Sequence, residues 1–93
     1  MGIELAELGK HAKAVGIFDR LLSKHGDNVN IIYAKSRSLA ELGRYSESMN
    51  LLRQAVSKNP KTIRSWAKEE RFFQRFHDNE QFRKLVKLSL IHI

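Results

Sequence analysis

The stretch Leu-Ala-Glu-Leu-Gly at residues 5–9 recurs unchanged at residues 39–43, an offset of 34 residues. The pair Ser-Lys at residues 23–24 recurs at residues 57–58 with the same offset, and the substitutions between these identities keep their chemical class. A period of this length holds two short helices with their turns and is characteristic of helical repeat proteins. The chain is therefore predicted to be built from repeated helix pairs.

Apolar spacing supports helices independently of the repeat. Between residues 12 and 24 the apolar side chains lie three and four residues apart, which places them on one face of an α-helix. These side chains are Ala14, Val15, Ile17, Phe18, Leu21 and Leu22. This part of the chain is predicted to form an amphipathic helix.

Glycine and proline mark the predicted helix ends. Gly9 and Gly43 interrupt the apolar pattern where a tight turn between two helices needs a positive φ. Pro60 has no backbone donor and restricts Asn59, so a helix is expected to end there. The predicted helices lie at about residues 2–8, 11–24, 29–41, 45–57, 62–76 and 79–89, and no strand is predicted.

The second repeat, residues 29–62, resembles the tetratricopeptide repeat family position by position. Ser36 stands at the family's small residue of the first helix and Leu39 at its large apolar residue. The turn, the second helix and the start of the next repeat match at Gly43, Tyr45, Ser48, Leu52, Ala55, Pro60 and Trp66. The resemblance implies an all-α fold, an α-solenoid of antiparallel helix pairs that form a superhelix. Small residues at Ser36 and Ser48 would let two helices approach closely, while Leu39 and Leu52 fill the space between them.

The resemblance also divides the chain, which is expected to be a single repeat domain. Residues 1–28 are a truncated first repeat, residues 29–62 a complete second repeat, residues 63–89 a degenerate third repeat with capping helices, and residues 90–93 a tail. Because the first repeat begins in the middle of its first helix, the chain resembles the C-terminal fragment of a longer array. Its open N-terminal face is expected to expose apolar surface, which favours self-association.

The third unit departs from the repeat pattern and is interpreted as a C-terminal cap. Glu70 stands where a small residue is usual, and Phe76-His77-Asp78 replaces the glycine turn. Asp78 is the expected N-cap of a closing helix, and Phe82 is expected to pack back on the preceding helix pair.

The net charge of +7 is unevenly distributed. Residues 1–57 carry eight basic and six acidic side chains, whereas residues 58–93 carry nine and four, a balance that attracts acidic partners. The resemblance implies that the first helix of each pair lines a concave groove. The register places on it Asn30, Tyr33, Arg37, Arg64, Lys68, Arg71 and Arg75. The expected function is a protein-interaction module, a scaffold or adaptor, that binds an acidic peptide or protein in this groove.

Three alternatives stand beside this interpretation. A purely structural terminal repeat would carry the same charges as solvated surface. The carboxylate clamp of some co-chaperones is similar at Arg64 and Lys68, but Ala34 stands where that clamp needs an asparagine. Binding of a nucleic-acid backbone would use the basic surface, but the aromatic residues have helical spacing and are expected in the core. These aromatic residues are Trp66, Phe73, Phe76 and Phe82.

Catalysis and cofactor binding find no support in the sequence. The four histidines share no metal-ligand spacing, and there is no glycine loop of the kind that binds phosphates. No apolar run approaches the roughly 20 residues of a membrane-spanning helix, and the N-terminus does not resemble a signal peptide. The absence of cysteine favours a reducing compartment, here the cytoplasm. We expect a protein that is not an enzyme and holds no cofactor or metal.

Overall fold

The computed structural model describes residues 2–26 and 28–87, with side chains from residue 9 onward. Its helices are α1 (Gly2–Lys24), α2 (Val29–Glu41), α3 (Tyr45–Lys58), α4 (Pro60–Glu69), a 3₁₀ helix (Arg71–Phe76) and α5 (Glu80–Val86). Each of the helices α1, α2 and α3 packs against the next α-helix, the 3₁₀ helix contacts α2, and α5 contacts α3 and α4. All regular structure in these residues is helical, which confirms the all-α prediction.

The helices α2 and α3 meet at the two predicted small residues. Ser36 and Ser48 are fully buried. The Ser36 hydroxyl donates to the Ser48 carbonyl at 3.0 Å, and the Ser48 hydroxyl donates to the Ser36 carbonyl at 2.7 Å. Each short side chain therefore reaches the backbone of the facing helix. Leu39 and Leu52 are fully buried as well, which confirms their predicted core roles.

The turn between α2 and α3 depends on Gly43. Its φ of 82° lies in the left-handed region that glycine adopts without steric cost. The Arg44 N–H donates to the Leu39 carbonyl at 2.9 Å, and the Gly43 N–H donates to the Ala40 carbonyl at 3.1 Å. This hydrogen-bond pattern is a Schellman motif, so the predicted glycine turn is confirmed here.

The earlier glycine of the same pentapeptide does not form a turn. α1 runs unbroken from Gly2 to Lys24, so Gly9 lies inside a helix and the predicted helix end at residue 8 is wrong. Glycine inside a helix costs about 1 kcal/mol relative to alanine, but it does not by itself end the helix. Because the pentapeptide is identical at both sites, the difference arises outside it.

The helix α1 buries part of its predicted apolar stripe. Val15 is buried and Phe18 is half-buried, whereas Ile17 and Leu21 remain 49 % and 39 % exposed. Ile17 and Leu21 lie one helical turn apart. This helix therefore presents an apolar face to solvent within the described residues.

Glu70 interrupts the helix predicted at residues 62–76. α4 begins earlier, at Pro60, because the first turn of a helix tolerates the missing donor of proline. It ends at Glu69. Glu70 is extended, with φ −71° and ψ 119°, and its carboxylate accepts the N–H of Phe72 at 3.3 Å. The 3₁₀ helix that follows no longer continues the helical face of α4.

The C-terminal elements close over an aromatic cluster. Phe73, Phe76 and Phe82 are buried, and their ring centroids lie 5.6 to 5.9 Å apart. The predicted packing of Phe82 on the preceding helices is confirmed. The N-cap of α5 is Asn79, whose Oδ1 accepts the Phe82 N–H at 3.0 Å, so the assignment of this role to Asp78 is wrong.

α5 ends at Val86, and Lys87 follows it in the left-handed conformation with φ 60°. The predicted end of the last helix at residue 89 and the predicted tail at residues 90–93 lie outside the described residues.

Candidate functional site

Three of the predicted groove residues lie together between α2 and α4. Asn30, Tyr33 and Arg37 follow one face of α2 and line a cavity of about 440 Å³. The remaining lining comes from Ala34 and, across the cavity, from Trp66, Glu69 and Glu70. We call this cavity the α2–α4 groove. The groove is mixed in charge. Its lining includes the carboxylate of Glu69 in α4, that of Glu70 just after α4, and the guanidinium of Arg37 in α2.

Aromatic side chains form the floor of the α2–α4 groove. Tyr33 is 6 % exposed, and its ring centroid lies 5.4 Å from that of Trp66 and 5.8 Å from that of Phe73. Burial raises the pKa of the Tyr33 phenol well above its usual value; the Glu70 carboxylate adds to the rise and Arg37 opposes it. Trp66 is 43 % exposed, so its predicted place in the core is wrong. Its indole is available to a ligand.

Arg37 is already paired inside the α2–α4 groove. Its Nη1 donates to Oε1 of Glu70 at 3.0 Å, and its guanidinium carbon lies 5.7 Å from the Tyr33 ring centroid, a cation–π contact. The Arg37 Nε is buried and has no hydrogen-bond partner among the described residues. A ligand that binds Arg37 must therefore compete with Glu70.

Arg64 and Lys68, the predicted pair on α4, line a second cavity of about 350 Å³. The described residues that line it are Lys61, Arg64, Ser65, Lys68, Glu69 and Lys87. We call it the α4–α5 cavity, because Lys87 follows α5 while the other residues belong to α4. The Arg64 Nε donates to the carbonyl of Leu85 at 2.9 Å, which holds the guanidinium against α5. Glu69 lines both cavities, so they adjoin along α4.

Arg71 and Arg75, the last two predicted groove residues, line neither cavity. The Arg71 guanidinium carbon lies 5.3 Å from the Phe72 ring centroid. Arg75 donates from Nη1 to the Tyr45 hydroxyl at 3.0 Å, and these two residues line another cavity with Phe76 and Asn79. Both arginines belong to the 3₁₀ helix, so the break at Glu70 moves them off the face that carries Arg64 and Lys68.

The comparison with protein families agrees with this architecture. A family model described as tetratricopeptide repeat matches residues 5–71. The chain belongs to the tetratricopeptide repeat family. The match includes both copies of the repeated pentapeptide and ends where α4 gives way to the 3₁₀ helix. No significant match is found among curated proteins or among solved structures.

Membership of the tetratricopeptide repeat family indicates the general kind of activity. Its repeats mediate interactions between proteins and are typically not enzymes. Among the described residues, no group of three or more potential ligands is arranged to hold a metal ion. None of the helices in this part of the chain is long and apolar enough to cross a membrane.

Several residues of this repeat surface were absent from the predicted groove. Lys61 precedes Arg64 by three residues and Lys68 by seven, so the helical period alone could have placed it on the same face. No local signal placed Lys87 or Glu70 at these cavities. Lys87 follows α5, which packs against α4, and Glu70 accepts a hydrogen bond from Arg37 of α2. The helical spacing of Trp66 predicts a place in the core, but spacing does not show how far the neighbouring elements cover a side chain.

Proposed function

We propose that this tetratricopeptide repeat chain is a scaffold or adaptor module that holds an acidic segment of a partner protein. The segment would lie along the α2–α4 groove and extend into the α4–α5 cavity. The observation that carries the proposal is the second cavity, where, among the residues that the structure describes, four cationic side chains and one carboxylate, that of Glu69, form the lining. The adjoining α2–α4 groove offers the exposed indole of Trp66, so a basic surface and an apolar surface lie side by side.

The two cavities would contribute differently to binding. Exposed ion pairs contribute about 0.2–1 kcal/mol each, so Arg64 and Lys68 would mainly steer and orient an acidic segment. Tryptophan is among the residues that most often dominate the energy of an interface, because it buries a large area at low entropic cost. Trp66 would therefore anchor an apolar residue of the segment, and Asn30 would hydrogen-bond its backbone.

Arg37, Arg71 and Arg75 would have secondary roles in this arrangement. The charge of Arg37 is compensated by Glu70, and its position over Tyr33 shapes the floor of the α2–α4 groove. Arg71 and Arg75 are exposed and would add long-range attraction without entering either cavity.

The test uses the fluorescence of Trp66, the one tryptophan of the chain. The chain is titrated with peptides that join a run of Asp and Glu to one apolar residue, and with matched peptides in which lysine replaces the acids. We expect saturable changes with the acidic peptides, weakened about tenfold or more by the double variant Arg64→Glu with Lys68→Glu.

The matched control is Arg20→Glu with Lys13→Glu, which reverses one arginine and one lysine on α1, away from both cavities. Equal weakening in the two double variants would show that only net charge matters and would overturn the groove proposal. Absence of any binding by acidic peptides would favour the alternative, a structural role in closing a repeat array. The buried Phe73, Phe76 and Phe82 are the observation that supports that alternative.

A further inference from the structure

The α4–α5 cavity contains three cationic groups that the fold leaves without partners. Among the described residues, the ammonium groups of Lys61, Lys68 and Lys87 make no hydrogen bond or ion pair. The fourth cation, Arg64, is fixed by its Nε bond to Leu85.

The basic side chains of α5 are engaged, because Arg83 pairs with Asp78 and Lys84 pairs with Glu80. In the 3₁₀ helix, Arg71 contacts the Phe72 ring and Arg75 donates to the Tyr45 hydroxyl. Among the described residues from α4 onward, the cations without a partner therefore lie at this one cavity.

Two features of this cavity work against the stability of the chain. Lys61, Arg64 and Lys68 are spaced three and four residues apart on α4, and like charges at these spacings destabilise a helix. Lys87 adopts a left-handed conformation with φ 60° after the end of α5, a position at which glycine is strongly favoured over residues with a side chain. Residues that oppose local helix or turn preferences and add no stability concentrate at functional sites. Here the like charges of α4 and the left-handed Lys87 both bring cations to the same cavity.

We propose that the α4–α5 cavity is a binding site for a phosphoryl dianion, supplied by a phosphorylated side chain of the bound partner. The proposal rests on the proposed function and specifies which acidic group the second cavity takes. One carboxylate would leave most of the positive charge uncompensated, whereas a phosphoryl group carries close to two charges and three acceptor oxygens. Three ammonium groups and one oriented guanidinium match that set of acceptors.

The surroundings favour a single phosphoryl group over a nucleic-acid backbone. Glu69 lies on the boundary of the α4–α5 cavity, and Glu70 lies beyond it in the α2–α4 groove. A continuous phosphate backbone that followed the groove would pass both carboxylates and be repelled. A peptide can instead place one phosphorylated side chain in the α4–α5 cavity and pass the two carboxylates with its apolar part, which the proposed function places against Trp66.

The test first uses inorganic phosphate, with chloride at the same ionic strength as reference. Backbone amide resonances and the Arg64 Nε–H are followed by NMR. We expect saturable shifts at residues 61–68 and at Lys87 with phosphate alone. Lys61→Ala with Lys68→Ala should weaken phosphate binding roughly tenfold, whereas Lys13→Ala with Lys24→Ala, the matched removal of two lysines from α1, should leave it unchanged.

Lys87→Gly separates binding from folding. Glycine relieves the left-handed strain, so this variant should unfold at the same or a higher temperature while it binds phosphate severalfold more weakly. Equal effects of phosphate and chloride, or equal weakening in the α1 control, would overturn the site.

A second arm identifies the source of the phosphoryl group. A peptide with phosphoserine beside an apolar residue is compared with the same peptide carrying glutamate, and we expect the phosphopeptide to bind roughly tenfold tighter. Equal affinity would overturn phosphate recognition and leave the proposed acidic-segment function standing. Phosphate binding at the cavity with no binding of either peptide would support the site for free phosphate and refute the proposed function. Tighter binding of a single-stranded oligonucleotide, with steep salt dependence, would overturn the proposal in favour of a nucleic-acid backbone.

Discussion

Arg37 in α2 donates to the carboxylate of Glu70 at 3.0 Å, across 33 residues of chain. Glu70 is also the residue at which α4 ends, and its second oxygen accepts the Phe72 N–H that opens the 3₁₀ helix. One carboxylate therefore joins the centre of α2 to the junction between α4 and the C-terminal cap. Glu70, which stands where the repeat pattern has a small residue, is therefore also the residue at which the chain changes direction.

Replacing Glu70 should destabilise the chain through this junction. Glu70→Gln keeps the size of the side chain but removes the charge that Arg37 faces, and hydrogen bonds to charged groups contribute about 1.5–3 kcal/mol. Because the Arg37 side chain is 40 % exposed, we expect a smaller loss, about 1–2 kcal/mol in the free energy of unfolding by urea. Glu69→Gln, on the adjacent exposed residue, should change it by less than about 0.5 kcal/mol. Equal effects of the two variants would contradict this role of the pair.

The reciprocal bonds of Ser36 and Ser48 predict a graded response to side-chain size. Ser36→Ala removes the hydroxyl that donates to the Ser48 carbonyl. Because this carbonyl lies within α3, the loss in the free energy of unfolding should be about 1 kcal/mol or less. Ser36→Leu places a large side chain where two helix backbones meet and should cost about 3 kcal/mol or more, enough to threaten a chain of this size. Thermal unfolding followed by circular dichroism measures both. Ser46→Leu at an exposed position of α3 is the control, and a comparable loss there would refute the close-contact argument.

The two glycines of the repeated pentapeptide should respond oppositely to alanine. Neither site has an atom within 4 Å of an added Cβ, so space does not limit either change. Gly9 is helical, and Gly9→Ala should stabilise the chain by up to about 1 kcal/mol. Gly43 has φ 82°, and Gly43→Ala should destabilise it by about 1–2 kcal/mol. Urea unfolding of both variants decides the matter, and a change of the same sign in both would contradict the helical state of Gly9.

The buried phenol of Tyr33 predicts a loss of stability at alkaline pH. Burial raises its pKa in the folded chain above the ordinary value of 10.0, so the folded chain retains the proton while the unfolded chain releases it. The stability associated with Tyr33 is thus complete below pH 10.0 and is lost as pH rises above it. Tyr33→Phe should flatten the fall of the melting temperature in that range. Tyr45→Phe, at the only other tyrosine of the chain, is the control, and an equal flattening there would refute this origin.

The repeat period and the apolar spacing account for most of the fold and part of the site. They predicted α2 and α3, and the four-residue spacing predicted the common face of Arg64 and Lys68. The close contact of Ser36 with Ser48 was implied by the resemblance to the tetratricopeptide repeat family. The seven predicted groove residues are nevertheless divided among separate surfaces. The predicted helical register continues past Glu70, but the chain leaves the helix there. Arg71 and Arg75 therefore do not lie on the face of α4 that carries Arg64 and Lys68.

The sequence by itself determined the all-α class, because apolar spacing along a helix indicates which face is buried. Its repeated residues determined the tetratricopeptide repeat family, whose model matches residues 5–71. Tertiary structure alone decided that Gly43 turns while Gly9 does not, that α4 stops at Glu70, and that Lys87 joins Arg64 at one cavity. The physical reason is distance along the chain. Glu70 meets Arg37 across 33 residues and Arg64 meets Leu85 across 21, whereas the helical period relates residues only a few positions apart.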